Sequence, residues 1–197
     1  MSKFPWLESY PDFVSHSTEI NYENIVEIYD QSIRNFGDKV AYKNMDVELT
    51  FNELDNHINA LIYYFQNNTS LKKGDKIVLQ MPNLLQYPLA IFACLKAGLV
   101  IVNTNPLYTS DEMLHQYKDS GAKAVIIVEN FAHNLEKIVS KTDIETVIIT
   151  TIGDLLGGFK GGLTNFVIRN VKKMVPAFSI PGSLNLKNIL KDYRGKK

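Results

Sequence analysis

The sequence predicts an α/β fold: a layered, mostly parallel sheet with helices on both faces, followed by a carboxyl-terminal amphipathic helical extension. Three observations carry this reading. Short apolar runs at 76–81, 99–103, 124–128 and 146–150 alternate with stretches whose apolar residues recur at helical spacing. Two of those stretches open on a capping box, Thr50 with Glu53 and Thr109 with Glu112, in which hydroxyl and carboxylate each satisfy a backbone N–H of the first turn. The run 99–103 is apolar without alternation, as expected of a strand covered on both faces. Strand and helix repeating at this interval favour parallel pairing through helical crossovers.

Taken in order, 21–36 reads as a first helix with Ile25, Ile28, Tyr29, Ser32 and Ile33 on one face and Gly37 as its stop. Segments 40–42 and 47–49 read as a hairpin across Asn44, Met45 and Asp46. Leu54, Ile58, Leu61, Ile62 and Phe65 mark a second helix. Gly74-Asp75 turns the chain into the strand 76–81, and Pro82-Asn83 turns it into a helix running to Ala97. Gly98, free to take a left-handed conformation, ends that helix. After the strand 99–103, a helix from Thr109 reaches Ser120-Gly121. A buried strand at 124–128, a helix at 132–140 and a strand at 146–150 follow. From residue 153 the pattern changes: glycines punctuate a loop, 163–175 forms one amphipathic helix, and a Pro-Gly-rich tail remains. The expected organisation is an α/β subdomain over 1–152, with the loop, helix and tail of the same subdomain over 153–197.

The composition, 197 residues at 45% hydrophobic and 21% charged, is that of an ordinary soluble globular chain able to bury a core. The single cysteine, Cys94, lies in an apolar run and reads as a buried small hydrophobe, which fits a reducing cytoplasm. No signal-peptide pattern opens the sequence, and no apolar stretch approaches the ~18 residues of a membrane span. The zero net charge hides an asymmetry: residues 1–154 carry 12 basic and 20 acidic groups, residues 155–197 carry 9 basic and one acidic, Asp192. Such a basic tail meets an anionic surface or docks on the acidic body.

No catalytic and no metal-ligating residue is assigned. The glycines at 157–162 lack the spacing, hydroxyl and lysine position of a phosphate loop and read as a flexible surface loop. His16, His57, His115 and His133 have no His or Cys partner at helical spacing. Asp111 and Glu112 sit in a first helical turn, where negative charge offsets the helix dipole. No nucleic-acid readout motif accompanies the basic tail. In the 163–175 helix, Leu163, Val167, Ile168, Val171, Met174 and Val175 gather on one side and Arg169, Lys172 and Lys173 on the other. Two readings stay open. Val167, Ile168, Arg169, Val171, Lys172, Lys173 and Met174 form a reversible membrane-surface contact, or the apolar stripe packs on the sheet as in any surface helix.

A series of motifs in one order carries a resemblance. Trp6-Leu7 with Tyr10-Pro11, Leu49-Thr50-Phe51 and Leu71-Lys72-Lys73-Gly74-Asp75 open it. Met81-Pro82-Asn83-Leu84-Leu85-Gln86-Tyr87-Pro88, Asn105-Pro106-Leu107-Tyr108-Thr109 and Asp119-Ser120-Gly121-Ala122-Lys123 are its most specific members, and Asn130-Phe131-Ala132-His133 continues it. The chain resembles the amino-terminal part of bacterial long-chain fatty acid–CoA ligases, in the adenylate-forming, AMP-binding superfamily; Asn165-Phe166-Val167 and Val175-Pro176 point to the long-chain branch. The resemblance implies a parent enzyme that uses ATP and magnesium to make an acyl-adenylate and passes the acyl group to CoA. It implies long-chain fatty acid and CoA as partners, and a cytoplasmic protein with peripheral contact at the inner face of the membrane. A homodimer is also consistent with it. The family's Ser/Thr/Gly-rich phosphate loop with its Pro-Lys-Gly end has no counterpart in these residues. The expectation is therefore a structural wall, without a cofactor of its own and inactive alone. By the same resemblance, Asn105, Pro106, Leu107 and Tyr108 lie toward the CoA approach, though an Asn-Pro turn that merely starts a helix explains them too. The rival is a lipid-surface or protein-interaction module without catalysis.

Overall fold

The computed structural model describes residues 4–196. In chain order its main elements are α1 (Ile25–Phe36), β1 (Val40–Asn44), β2 (Val47–Thr50), α2 (Phe51–Asn68), β3 (Lys76–Gln80), α3 (Gln86–Lys96) and β4 (Val100–Asn103). There follow α4 (Ser110–Ser120), β5 (Ala124–Val128), α5 (Ala132–Glu136), β6 (Thr146–Thr150), α6 (Gly158–Phe166), β7 (Leu184–Asn185) and α7 (Leu186–Asp192). β1 and β2 pair antiparallel across Met45 and Asp46, both at positive φ, which gives the turn the twist of a tight hairpin. The other strands form one parallel sheet in the order β4-β3-β5-β6-β7.

Alternate residues of each inner strand serve opposite layers. Ile77, Leu79, Ala124, Ile126 and Ile148 pack under α2, α3 and α7, against Leu54, Ile58, Leu61, Leu89, Ala93 and Leu190. Val78, Val125, Ile127, Val147 and Ile149 pack under α4 and α5, against Met113, Tyr117, Ala132 and Leu135. A fully buried aliphatic contributes about 1.5–3 kcal/mol, so this two-sided sandwich is where the stability lies. The expected parallel sheet with helices on both faces is what the chain forms.

Several expectations need correction. The segment 99–103 is covered on both faces as expected, but only at its middle, Ile101 and Val102. β4 lies at the sheet edge, no described strand lies beyond it, and Val100 is 48% exposed. Its lack of alternation arises because Ile101 packs on one layer and Val102 on the other, while Leu99 tucks in beside α3. On α1 only Tyr29 of the predicted face is buried; Ile25 and Ile28 stay exposed, because the helix touches its neighbours chiefly through its centre. There Tyr29 stacks on Phe92 and Asp30 pairs with Lys96 at 2.9 Å. The 132–140 helix is α5 followed by a 3-10 turn, Val139–Lys141.

The largest differences lie beyond residue 153. The glycine stretch is no loop: α6 starts at Gly158, inside it. Gly161 presses on Gly153, where an added Cβ would come within 2.2 Å of the Gly153 carbonyl oxygen, so two bare backbones cross. Nor does one regular helix fill 163–175. α6 ends at Phe166, a wider π-type turn spans Val167–Val171, and Lys173 takes a positive φ of 51°. The tail contributes β7 to the sheet and α7 to the core, where Leu186, Ile189 and Leu190 are buried and Asn185 caps the helix by accepting from Asn188 N.

Both capping boxes form, at Thr50/Glu53 and Thr109/Glu112. The backbone N–H of each threonine, then its hydroxyl, holds the glutamate below the ordinary carboxylate value. A carboxylate lowered in the folded state adds stability above its ordinary value and loses it as pH falls through the folded one. The thermal midpoint is therefore expected to fall below about pH 4.5. Replacing both residues by Gln should flatten that acid limb; an unchanged slope in the double variant, followed by circular dichroism, refutes the assignment.

Candidate functional site

The strand order reverses beside β3. The chain steps outward from β3 to β4 and then crosses to β5 on the other flank. Ligands of doubly wound sheets sit at the carboxyl ends of the strands that flank such a reversal. Here those ends carry polar side chains that bond one another. Gln80, fully buried, accepts from the Tyr117 hydroxyl at 2.6 Å and donates to the Asn105 carbonyl at 3.1 Å, joining β3, α4 and the turn after β4. Beyond β5, Glu129 receives both Nε and Nη2 of Arg169, at 3.0 and 2.5 Å. The Glu129 side chain is 5% exposed and that of Arg169 49%. Next to Glu129, Asn130 donates to the Met174 carbonyl at 3.0 Å.

After β6 comes the densest cluster. Asp154 accepts from the Thr150 hydroxyl, the Thr151 N–H and the Thr151 hydroxyl, at 2.8, 2.9 and 2.5 Å. Gln86, at the start of α3, donates to the Thr151 carbonyl at 2.8 Å. Asn165 of α6 donates to the Thr151 hydroxyl and accepts from Gly153 N, both at 2.8 Å. These bonds position α6 against the sheet. Between the ends of β5, β6 and β7 a cleft of about 210 Å³ opens, bounded by Glu129, Thr151, Arg169, Phe178, Ser183 and Asn185. A second cleft, of about 380 Å³, lies between the β1–β2 hairpin and α3; Asn83, Leu84, Leu85, Tyr87 and Pro88 of the 81–88 motif line it with Tyr42 and Lys43.

The residues singled out from the sequence fall in two places. Asn105 closes its own turn: its Oδ1 accepts from Leu107 N at 3.0 Å and its carbonyl from Tyr108 N at 3.2 Å. Leu107 is 74% exposed, Pro106 half-buried, and Tyr108 packs on the α4 layer. Of the other group, Val167 and Ile168 are half-buried, whereas Val171, Lys172, Lys173 and Met174 are exposed. Arg169 is tied to Glu129. Gln80, Glu129 and Asp154 carry no motif of their own, although each lies at or just beyond the end of a strand, which is the pattern that marks them; Gln86 lies at the start of α3, within the 81–88 motif.

Chemically, these groups hold and orient. Burial pushes the Cys94 thiol and the Tyr117 hydroxyl well above their ordinary values, so neither supplies an anion. Burial, then Arg194 nearby, holds His57 below the ordinary imidazole value. Among the described residues no group of three or more His, Cys, Asp or Glu is placed to hold a metal ion. The acidic groups of the site are already paired with protein donors, so they do not fit magnesium or a nucleotide phosphate, and no step is assigned to them through either. Among the described residues no helix is long and apolar enough to cross a membrane.

Comparison with known proteins matches residues 29–167 to the family described as AMP-binding enzyme. A long-chain-fatty-acid–CoA ligase of Escherichia coli O157:H7 is 46% identical over 188 residues, which cover 94% of this chain and 33% of that protein. The chain thus spans about a third of the length of the curated relatives it matches. Among solved structures, coronafacic acid ligase from Pectobacterium brasiliense superposes with a TM-score of 0.68 at 18% identity, over 88% of this chain and 30% of that one. A long-chain-fatty-acid-CoA ligase from Archaeoglobus fulgidus gives 0.61 at 20% identity, over 78% and 32%. At those identities the superpositions speak for the fold.

Proposed function

The chain belongs to the AMP-binding enzyme family, and from that premise we propose that it forms the amino-terminal third of a long-chain fatty acid–CoA ligase. In this reading the whole ligase activates a fatty acid with ATP and magnesium and transfers the acyl group to CoA. The residues described here brace one side of the reaction space. They present a rigid carboxyl edge and leave the chemistry to sequence of the kind found elsewhere in the relatives. The observation that carries this is the 46% identity sustained over 188 residues. The interlocked side chains support it, because Gln80, Glu129 and Asp154 are consumed in bonds that fix α4, α6 and the Asn105 turn. In the same reading the Asn105–Tyr108 turn, with Leu107 outermost, faces the CoA approach. The protein is cytoplasmic and touches the inner face of the membrane reversibly.

A split-enzyme assay tests the proposal. The 197-residue chain given ATP, magnesium, oleate and CoA should release no pyrophosphate above background. Mixed with the remaining two thirds of the Escherichia coli relative, it should form oleoyl-CoA. Turnover by the chain alone overturns the proposal. So does an inactive mixture under conditions where the relative's own first third restores activity.

A further inference from the structure

α6 is built inside out. Gly161 and Asn165, four residues apart, share the inward face: Gly161 presses on Gly153 and Asn165 bonds Gly153 and Thr151, while Arg169, in the wider turn that follows, bonds Glu129. The outward face carries Phe159, Leu163 and Phe166 at i, i+4 and i+7, and these are 86%, 54% and 57% exposed. Val171 and Met174 continue the exposed apolar surface at 65% and 53%. A surface helix ordinarily turns its apolar stripe to the core. Here rotation cannot hide it, since turning α6 would strand the Glu129 carboxylate and force a side chain into the Gly153 crossing. Scattered exposed apolar residues need no explanation, but a locked, contiguous stripe marks an interaction site.

Charge identifies the occupant. No Asp or Glu occurs between Leu155 and Lys191. Lys172 and Lys173 end the stripe, both exposed. Lys160 reaches back to the Met45 carbonyl and stands 4.0 Å from Asp46. A second copy seated on the stripe would offer these lysines no carboxylate from the same acid-free segment, which disfavours self-association. An anionic lipid surface accepts both features, with apolar rings among the acyl chains and ammonium groups at the phosphates. We infer that α6 docks on anionic lipid through Phe159, Leu163 and Phe166, with Lys172 and Lys173 at the headgroups. This rests on the membrane contact of the preceding reading; it keeps Lys172 and Lys173 and moves the apolar contact from Val167 and Ile168, which are half-buried, to Phe159, Leu163 and Phe166.

The test places an indole in the stripe, F166W in a W6F background. On vesicles of phosphatidylcholine and phosphatidylglycerol its emission should shift to the blue and be quenched by brominated acyl chains, with little change on phosphatidylcholine alone. Phe159→Ser should weaken partition about tenfold, the worth of one buried ring. K172E/K173E, which removes two cations and adds two repelled charges, should weaken it by at least about thirtyfold. If the unmodified chain binds vesicles while the introduced indole stays unquenched, the contact lies elsewhere; this inference then fails although the membrane reading stands. If nothing binds vesicles, both fail. A blue shift that depends on protein concentration without vesicles assigns the stripe to a second copy and overturns the inference. The ligase assignment is read separately, by the split-enzyme assay.

Discussion

Gly161→Ala is expected to destabilise the protein by about 3 kcal/mol, while Gly162→Ala, one position on, stabilises it by about 0.5–1 kcal/mol. The two glycines share a helix and differ only in what stands opposite. A Cβ on Gly161 would come within 2.2 Å of the Gly153 carbonyl oxygen, and a Cβ on Gly153 within 2.3 Å of the Gly161 carbonyl oxygen. Both neighbours are backbone, so no side chain can swing aside. Relief requires α6 to lift, which breaks the Asn165 bonds to Gly153 and Thr151. Around Gly162 nothing lies within 4 Å, and alanine there only removes freedom from the unfolded chain. Urea unfolding at constant m-value reads both effects. Equal changes of one sign would mean that α6 does not rest on Gly153.

The same pair explains what the sequence concealed. Glycine costs a helix interior about 1 kcal/mol each, so a local reading places a loop at 157–162. The helix forms because backbone at Gly153 admits it, and that contact leaves no periodic trace. By contrast, the four strand runs at 76–81, 99–103, 124–128 and 146–150, both capping boxes and the hairpin were legible, since each leaves its pattern within a few residues. The tail, read only as Pro-Gly-rich, hides α7, although Asn185 as a cap and Leu186, Ile189 and Leu190 at helical spacing mark it, and a two-residue strand is too short to signal itself. The candidate site was least legible. Arg169 and Glu129 lie 40 residues apart. Sorting 163–175 by hydrophobicity groups Arg169 with Lys172 and Lys173, whereas Arg169 turns to Glu129. The structure anchors α6 through Gly161 and Asn165 instead, and the wider turn at Val167–Val171 changes the helical step on which that sorting relied.

Arg169→Met should cost about 3 kcal/mol, Glu129→Leu only about 1 kcal/mol, and the double variant less than Arg169→Met alone. The asymmetry follows from exposure. Glu129 has 5% of its side chain in water, so removing its partner strands a carboxylate in the protein. Arg169 has 49% in water, and without Glu129 its guanidinium can turn outward and hydrate. With both replaced, no charge remains to desolvate and apolar atoms fill the same space, so much of the loss is recovered. A cycle of urea-unfolding measurements on the four proteins decides the matter. If Arg169→Met proves no costlier than Glu129→Leu, water reaches the carboxylate and the pair does not clamp α6. If the double variant keeps its stability while amide exchange at 158–166 quickens, the pair does more than add stability: it holds the helix in the one orientation that presents Phe159, Leu163 and Phe166 outward.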